Sequence, residues 1–235
     1  MLEEADEDRN ITYMDSTVAF EYRHEALDGG VDWNNFELQW QQSFGHSRRF
    51  AMEFLLPFIQ ASEGEDEPSA SGVGDIKVGL KAMLSKGEKF EQAAGIEVTV
   101  PSASHDAIGD GETVLRFAWG CSVPLGAATL LNAELGYNKP VQNSRSTHAP
   151  GTDSIEPELI LTQGVAKRFA GYLDWDNYYD FSASQYVSTM QAGIEFTLDH
   201  REKWTITPYA TFALTHATRL LEIKNAAGVI FSYRY

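Results

Sequence analysis

From Val229 to the final residue the chain alternates with period two. Val229, Phe231, Tyr233 and Tyr235 fall on one face, and Ile230, Ser232 and Arg234 on the other. A β-strand with this period presents one apolar face and one mixed face. The same pattern fills the chain from Thr17 onward, in about twelve runs bounded by turn-forming residues. In the first, Val18, Phe20 and Tyr22 oppose Ala19, Glu21 and Arg23; in a middle one, Leu115, Phe117 and Trp119 oppose Arg116 and Gly120. A chain built only of such runs has two solutions. Either two sheets stack with their apolar faces inward, or one sheet closes on itself and leaves no open edge.

The number of runs separates them. A barrel of roughly eight strands fills its interior with side chains, whereas wider ones leave space. A ring of about twelve is too wide to be filled by Leu and Val. Its apolar face must then point outward, and its polar face must line a wet lumen. That polar face carries mid-strand charges of both signs, and the candidate lumen-lining residues are Glu53, Lys77, Lys81, Glu97, Arg116, Glu134, Glu158, Asp174, Asp176, Asp180, Glu195 and Arg234. Early in the chain acids and bases offset each other from strand to strand, as charges in a partly desolvated lumen must. Glu158, Asp174, Asp176, Asp180 and Glu195 come from three consecutive runs and predict an acidic wall opposite Lys77, Lys81 and Arg116.

The connectors alternate as well. SFGHSR, SKGEK, PLGA, AKR and DHREK are short, whereas most of those between them are longer, among them ASEGEDEPSASGVGD and NKPVQNSRSTHAPGTDS. Short turns on one rim and long loops on the other are the plan of an outer-membrane barrel, the short side being periplasmic. Aromatic residues near strand ends (Tyr22, Trp40, Phe44, Phe58, Tyr137, Tyr179, Phe181 and Tyr235) fit interfacial girdles. The predicted fold is therefore all-β: a closed antiparallel up-and-down transmembrane β-barrel of about twelve strands over residues 17–235. Closure requires Thr17–Arg23 to lie beside Val229–Tyr235. Residues 1–16 form a flexible, acidic N-terminal segment and a candidate plug. The inward glycines Gly79, Gly95, Gly120, Gly136, Gly164 and Gly193 are read as bends in the wall.

Composition removes several classes. A net charge of -16 argues against a nucleic-acid partner. The single Cys121 permits neither an internal disulfide nor a thiolate metal cluster. No apolar run is long enough for a transmembrane helix. The mean hydropathy of -0.30 is uninformative for a barrel, because half of each strand is polar. MLEEADEDRN has no basic or apolar region of an export leader, so an outer-membrane destination implies a leader already removed.

SGVGDIKVGLKAML (71–84), GIEVTVPS (95–102), LLNAELGY (130–137) and EPELILTQGVAKRF (156–169) carry a resemblance. A Gly-x-Gly-Asp turn opening one strand, with GIEVTVPS on the next, resembles the outer-membrane proteins of the MetA pathway of phenol degradation. The family's usual Pro-Thr-Gly after the fifth strand reads Pro101-Ser102-Ala103 here. The resemblance implies a small-molecule channel and names no solute.

Chemistry beyond passage has little support. Ser43, His46 and Ser47 fall in a short turn and His105, His148 and His216 in loops, and no histidine shares an outward strand position with a serine and an orienting acid or amide. The expectation is no enzyme, no cofactor and no metal site. The acidic loop residues Ser62–Glu67 and Asp106, Asp110 and Glu112 match no calcium-loop spacing and read as solvated. The expected function is a porin-like outer-membrane channel for passive passage of small solutes. The alternatives are a non-conducting structural or complex-forming barrel and, last, a soluble carbohydrate-binding sandwich. Expected partners are membrane lipid and lipopolysaccharide, small solutes, and the outer-membrane assembly machinery acting on the C-terminal strand.

Overall fold

The structure is a computed structural model. It describes residues 11–26, 32–62, 69–87, 89–104, 108–109, 111–143, 153–181, 184–199, 201–215 and 225–235. Residues 1–10, most of the acidic stretch after Ser62, and His105, Asp106, Asp110, His148 and His216 lie outside the described residues.

The described residues form thirteen strands: β1 (Thr17–Ala26), β2 (Asp32–Phe44), β3 (Phe50–Ala61), β4 (Ala70–Val73), β5 (Ile76–Lys86), β6 (Glu91–Val100), β7 (Glu112–Pro124), β8 (Thr129–Asn143), β9 (Ser154–Ala166), β10 (Phe169–Asp180), β11 (Gln185–Thr197), β12 (Trp204–Ala213) and β13 (Asn225–Arg234). Apart from β4, each pairs antiparallel with its neighbours in one sheet that closes on itself. The seam joins first to last, with Thr17 opposite Arg234 and Ala26 opposite Asn225. The final Tyr235 is tied in as well: its N–H donates to Ser16 O at 3.1 Å, and Trp40 Nε1 donates to its hydroxyl at 2.9 Å.

Two of the thirteen strands share one place in the ring. Strand β3 pairs with β5 over Phe50–Leu55 and with β4 over Phe58–Ala61. The ring therefore has twelve positions, one occupied by a strand interrupted at Gly74–Asp75. Ala70–Val73 falls in a stretch that reads as connector in sequence, because glycine, serine and proline dominate it and no alternation is visible. The interruption is held by its neighbour. Asp75 Oδ1 accepts from the main-chain N–H groups of Ser102 and Ala103, both at 3.0 Å, and Ser102 Oγ donates to Gly74 O at 3.1 Å.

Exposure runs opposite to that of a soluble protein. Leu80, Ile194 and Phe231 are 52%, 51% and 44% exposed, while Thr162, Asn132 and Glu21 are 0%, 4% and 3% exposed. An apolar outer belt around a sheet with no free edge is stable where the surrounding solvent is hydrocarbon, since the wall's backbone groups pair from strand to strand and no open edge is left. Among the described residues no helix is long and apolar enough to cross a membrane; the strands are the spanning elements.

Candidate functional site: the lumen

The inward faces of the strands divide into a filled half and an open half. On β10, β12, β13 and β1, Tyr172, Tyr209, Ala19 and Ile230 form a buried apolar cluster. Tyr172 lies over Gly193 and Tyr209 over Gly228, each glycine on a neighbouring strand at a point where a Cβ would overlap the ring. The polar tips of these rings are satisfied. The Tyr209 hydroxyl donates to Glu21 Oε1, and Gln191 Nε2 donates to the Tyr172 hydroxyl at 2.7 Å. Thr211 Oγ1 donates to Gln191 Oε1 at 3.1 Å. Tyrosine suits this setting because its body fills space and its hydroxyl finds a partner.

A second filling comes from the described part of the N-terminal segment. Ile11 and Met14 are 3% and 6% exposed and cluster with Ala51, Met83, Ala93 and Ala118 of the wall. Ile11 sits against Gly120, where a Cβ would overlap its side chain, and against Gly95. Its N–H donates to Glu134 Oε2 at 3.2 Å, and Thr12 Oγ1 and Ser122 Oγ share a hydrogen bond of 2.5 Å. Gln41 Nε2 donates to the carbonyls of Tyr13 and Asp15, at 3.2 and 2.6 Å. Asp15 pairs with Arg48 and lies 3.7 Å from Arg234. Gly95, Gly120 and Gly193, read from sequence as bends, serve as seats for bulky side chains of the insert or of the next strand.

The open half is a cavity of about 710 Å³. Its border includes the acids Glu21, Glu37, Glu53, Glu97, Glu112, Glu134, Glu156, Glu158 and Asp180 and the bases Arg23, Lys77, Lys81 and Arg116. Ion pairs brace part of it. Lys81 Nζ is 2.5 Å from Glu53, and Arg116 bridges Glu134 at 2.6 Å and Glu156 at 3.2 Å. Arg116 also lies over Gly136, whose missing side chain makes room for the guanidinium.

Of the residues proposed from sequence, Glu53, Lys77, Lys81, Glu97, Arg116, Glu134, Glu158 and Asp180 border this cavity. Asp174 and Glu195 do not; they are 3% and 6% exposed, in the wall of the tyrosine-filled half. Asp176 is exposed and lies opposite Glu158 and Thr189, outside the cavity border. Arg234 faces the N-terminal segment, its guanidinium 5.9 Å from the Tyr13 ring centroid. The acidic wall is therefore split: of the five acids Glu158 and Asp180 border the cavity, Asp176 is exposed outside its border, and Asp174 and Glu195 are buried. Glu112, read from sequence as a solvated loop acid, also borders the cavity, as do Glu156 and Tyr178, which were not singled out because each sits near a strand end where the period-two pattern is short. Among the described residues no group of His, Cys, Asp and Glu has a metal-holding arrangement.

An edgeless ring of strands, apolar outside and charged inside, defines a transmembrane β-barrel of the outer-membrane kind. The chain belongs to the family described as "Putative MetA-pathway of phenol degradation", whose sequence profile matches residues 25–220. The fold is similar to that of a COG4313 outer membrane channel from Pseudomonas putida F1, with a TM-score of 0.77 and 14% identity over 94% of this chain and 96% of that one. It is also similar to the KdgM porin (TM-score 0.63, 10% identity, 92% of this chain and 99% of that one). A third similar structure is the CymD monoaromatic hydrocarbon channel (TM-score 0.57, 5% identity, 100% of this chain and 93% of that one). At these identities the likeness is one of fold. No curated protein matches the chain.

Proposed function

We propose that this protein is an outer-membrane channel for small polar solutes, cations foremost, which cross through the open half of the lumen past the N-terminal insert. The observation that carries the reading is the cavity, bounded by nine acidic and four basic side chains. Carboxylates lining a pore favour cations, and a field running from Glu158 and Asp180 toward Lys77 and Lys81 suits zwitterions that can orient in it. An apolar solute calls for an apolar cavity instead. The family description and the CymD likeness point toward aromatic compounds, and the charged lining argues against a bare hydrocarbon following this route. The first strand begins at Thr17 and the last ends at Arg234 on the rim of the short turns, which supports a periplasmic placement of that rim.

Residues 11–16 act in this reading as a plug that limits conductance. The burial of Ile11 and Met14 also supports a second reading, a barrel closed in its resting state that serves as a structural or complex-forming component. Planar-bilayer recordings of the full chain and of a chain lacking residues 1–16 separate the two. The channel reading expects measurable cation-preferring current, larger after truncation. Silence from both proteins would leave the structural reading standing.

A further inference from the structure

Four cations border the open half of the lumen, and three of them have carboxylate partners. Arg23 pairs with Glu25, Lys81 with Glu53, and Arg116 with Glu134 and Glu156. The fourth, Lys77, makes no ion pair or hydrogen bond among the described residues. Strand register accounts for the difference. In one inward row Glu53, Gly79, Glu97 and Arg116 stand side by side on β3, β5, β6 and β7. Glu53 lies over Gly79, where a Cβ would meet its Oε2 at 3.1 Å, and turns toward the short-turn rim to reach Lys81. Arg116 turns the same way, over Gly136, to Glu134 and Glu156. Glu97, between them, is left with no ion pair or hydrogen bond among the described residues. Lys77 and Glu97 are both half-buried and both border the cavity.

These two opposite charges stand diagonally on neighbouring strands, Lys77 opposite Thr99 and Glu97 opposite Gly79. Diagonal positions of an antiparallel pair are about 7–8 Å apart, and the ammonium and carboxylate do not close on each other. A molecule with a carboxylate and an ammonium on one carbon fits between them. Its carboxylate accepts from Lys77, and its ammonium donates to Glu97. A lone carboxylate would meet Lys77 but stand against Glu97, and a lone amine the reverse. The next row toward the long-loop rim reads Leu55, Lys77, Thr99, Val114 and Pro140 from β3 to β8, and all five border the cavity. Beside the free ammonium the wall is therefore mainly aliphatic, a surface that favours an apolar solute body. We propose that Lys77 and Glu97 form a subsite for a zwitterionic α-amino acid, its apolar side chain resting on Val114 and Pro140. The subsite is read from the lumen wall; as a step in passage it rests on the channel reading above.

The full chain in detergent micelles would be titrated with L-leucine, isopentylamine and 4-methylpentanoate, and binding read by saturation-transfer NMR. The second and third probes are leucine without its carboxylate and leucine without its ammonium. Leucine should bind about tenfold or more tightly than either, because each analogue leaves one hydrogen bond between charged groups unmade. Lys77→Gln should abolish leucine's advantage over isopentylamine, and Glu97→Gln its advantage over 4-methylpentanoate. The signal of Lys77→Gln/Glu97→Gln is subtracted to remove partition into the micelle. Glycine carries the same charges without the side chain and should bind more weakly than leucine. If a variant does not fold, the ranking of the four ligands on the unaltered protein still decides. Equal binding of leucine and either analogue, leucine binding unchanged in both variants, or no leucine binding overturns the proposal; the last is what Lys77 closing on Glu97 would give. Glycine binding as tightly as leucine would overturn the contact with Val114 and Pro140. Planar-bilayer current from the same protein is read separately. Leucine binding without current would overturn the channel and leave the subsite, whereas current without leucine binding would overturn the subsite and leave the channel.

Discussion

The main-chain N–H of Ile11 donates to Oε2 of Glu134 at 3.2 Å, and the two residues are 123 positions apart in the chain. Glu134 is also the partner of Arg116, so the same carboxylate holds the insert and braces the open half of the lumen. An insert with a buried donor is held firmly only while that donor keeps its acceptor.

Glu134→Ala removes the acceptor and leaves the Ile11 N–H buried without a partner. That loss is worth about 1–3 kcal/mol, or about a 5- to 150-fold fall in the equilibrium constant for insertion. Single-channel records should show larger or more frequent openings, approaching those of the chain without residues 1–16. Glu134→Gln keeps an acceptor and should fall between. Identical traces from all four proteins would show that the insert does not limit current.

Selectivity should follow the cavity border and not the total charge of the lumen wall. Glu158→Gln with Asp180→Asn should lower cation preference, measured as reversal potential in a salt gradient below about 0.1 M, where screening is weak. Asp174→Asn with Glu195→Gln removes the same formal charge from the filled half and should leave the potential nearly unchanged. Equal shifts from the two pairs would refute this division of the lumen.

Two neighbouring residues test the faces of β6. Ile96 is 40% exposed and stands between Leu80 and Phe117 of the outer belt, whereas Thr99 has the opposite parity and lines the cavity. Ile96→Arg should destabilise the inserted barrel by about 2–4 kcal/mol. Thr99→Arg should be tolerated, because its side chain enters an aqueous, acidic space. Urea unfolding from vesicles gives the comparison, and the opposite order would mean that the parity of this strand is misassigned.

Tyr209→Phe keeps the ring over Gly228 and removes the donor to Glu21, a carboxylate only 3% exposed. The expected cost is about 1.5–3 kcal/mol in the same unfolding measurement, as for hydrogen bonds to charged groups. A cost near zero would show that water replaces the hydroxyl.

The turn after β11 should respond to acid. Burial alone would raise the Asp199 carboxyl, but its oxygens accept N–H donation from Trp204 at 3.1 Å, Lys203 at 2.7 Å and Arg201 at 3.3 Å, and the net shift is downward. A carboxylate lowered on folding contributes stability that is complete above its unfolded pKa of roughly 3.9 and is lost as pH falls through the folded value. Stability measured from pH 5 downward should therefore decline less steeply in Asp199→Asn than in the parent. Parallel declines would exclude a contribution from this turn.

The alternation of residues such as Val18, Phe20 and Tyr22 with Ala19, Glu21 and Arg23 was enough to determine strands, their two faces, the closed ring and the juxtaposition of Thr17–Arg23 with Val229–Tyr235, though not its residue register. It could do so because strand period is a local property, and because a sheet edge in lipid leaves backbone groups without partners. Charge complementarity between neighbouring strands was legible too, as in Lys81 with Glu53 and Arg116 with Glu134, since adjacent strands follow one another in sequence. What lies across the lumen was not. Asp174 and Asp180 have the same residue type and the same parity, yet one is walled in beside the tyrosines and the other borders open space. Nothing local distinguishes them. That difference depends on where Tyr172 and Tyr209 fill the bore and where Ile11 re-enters it, contacts between residues far apart in sequence that exist only once the ring has closed.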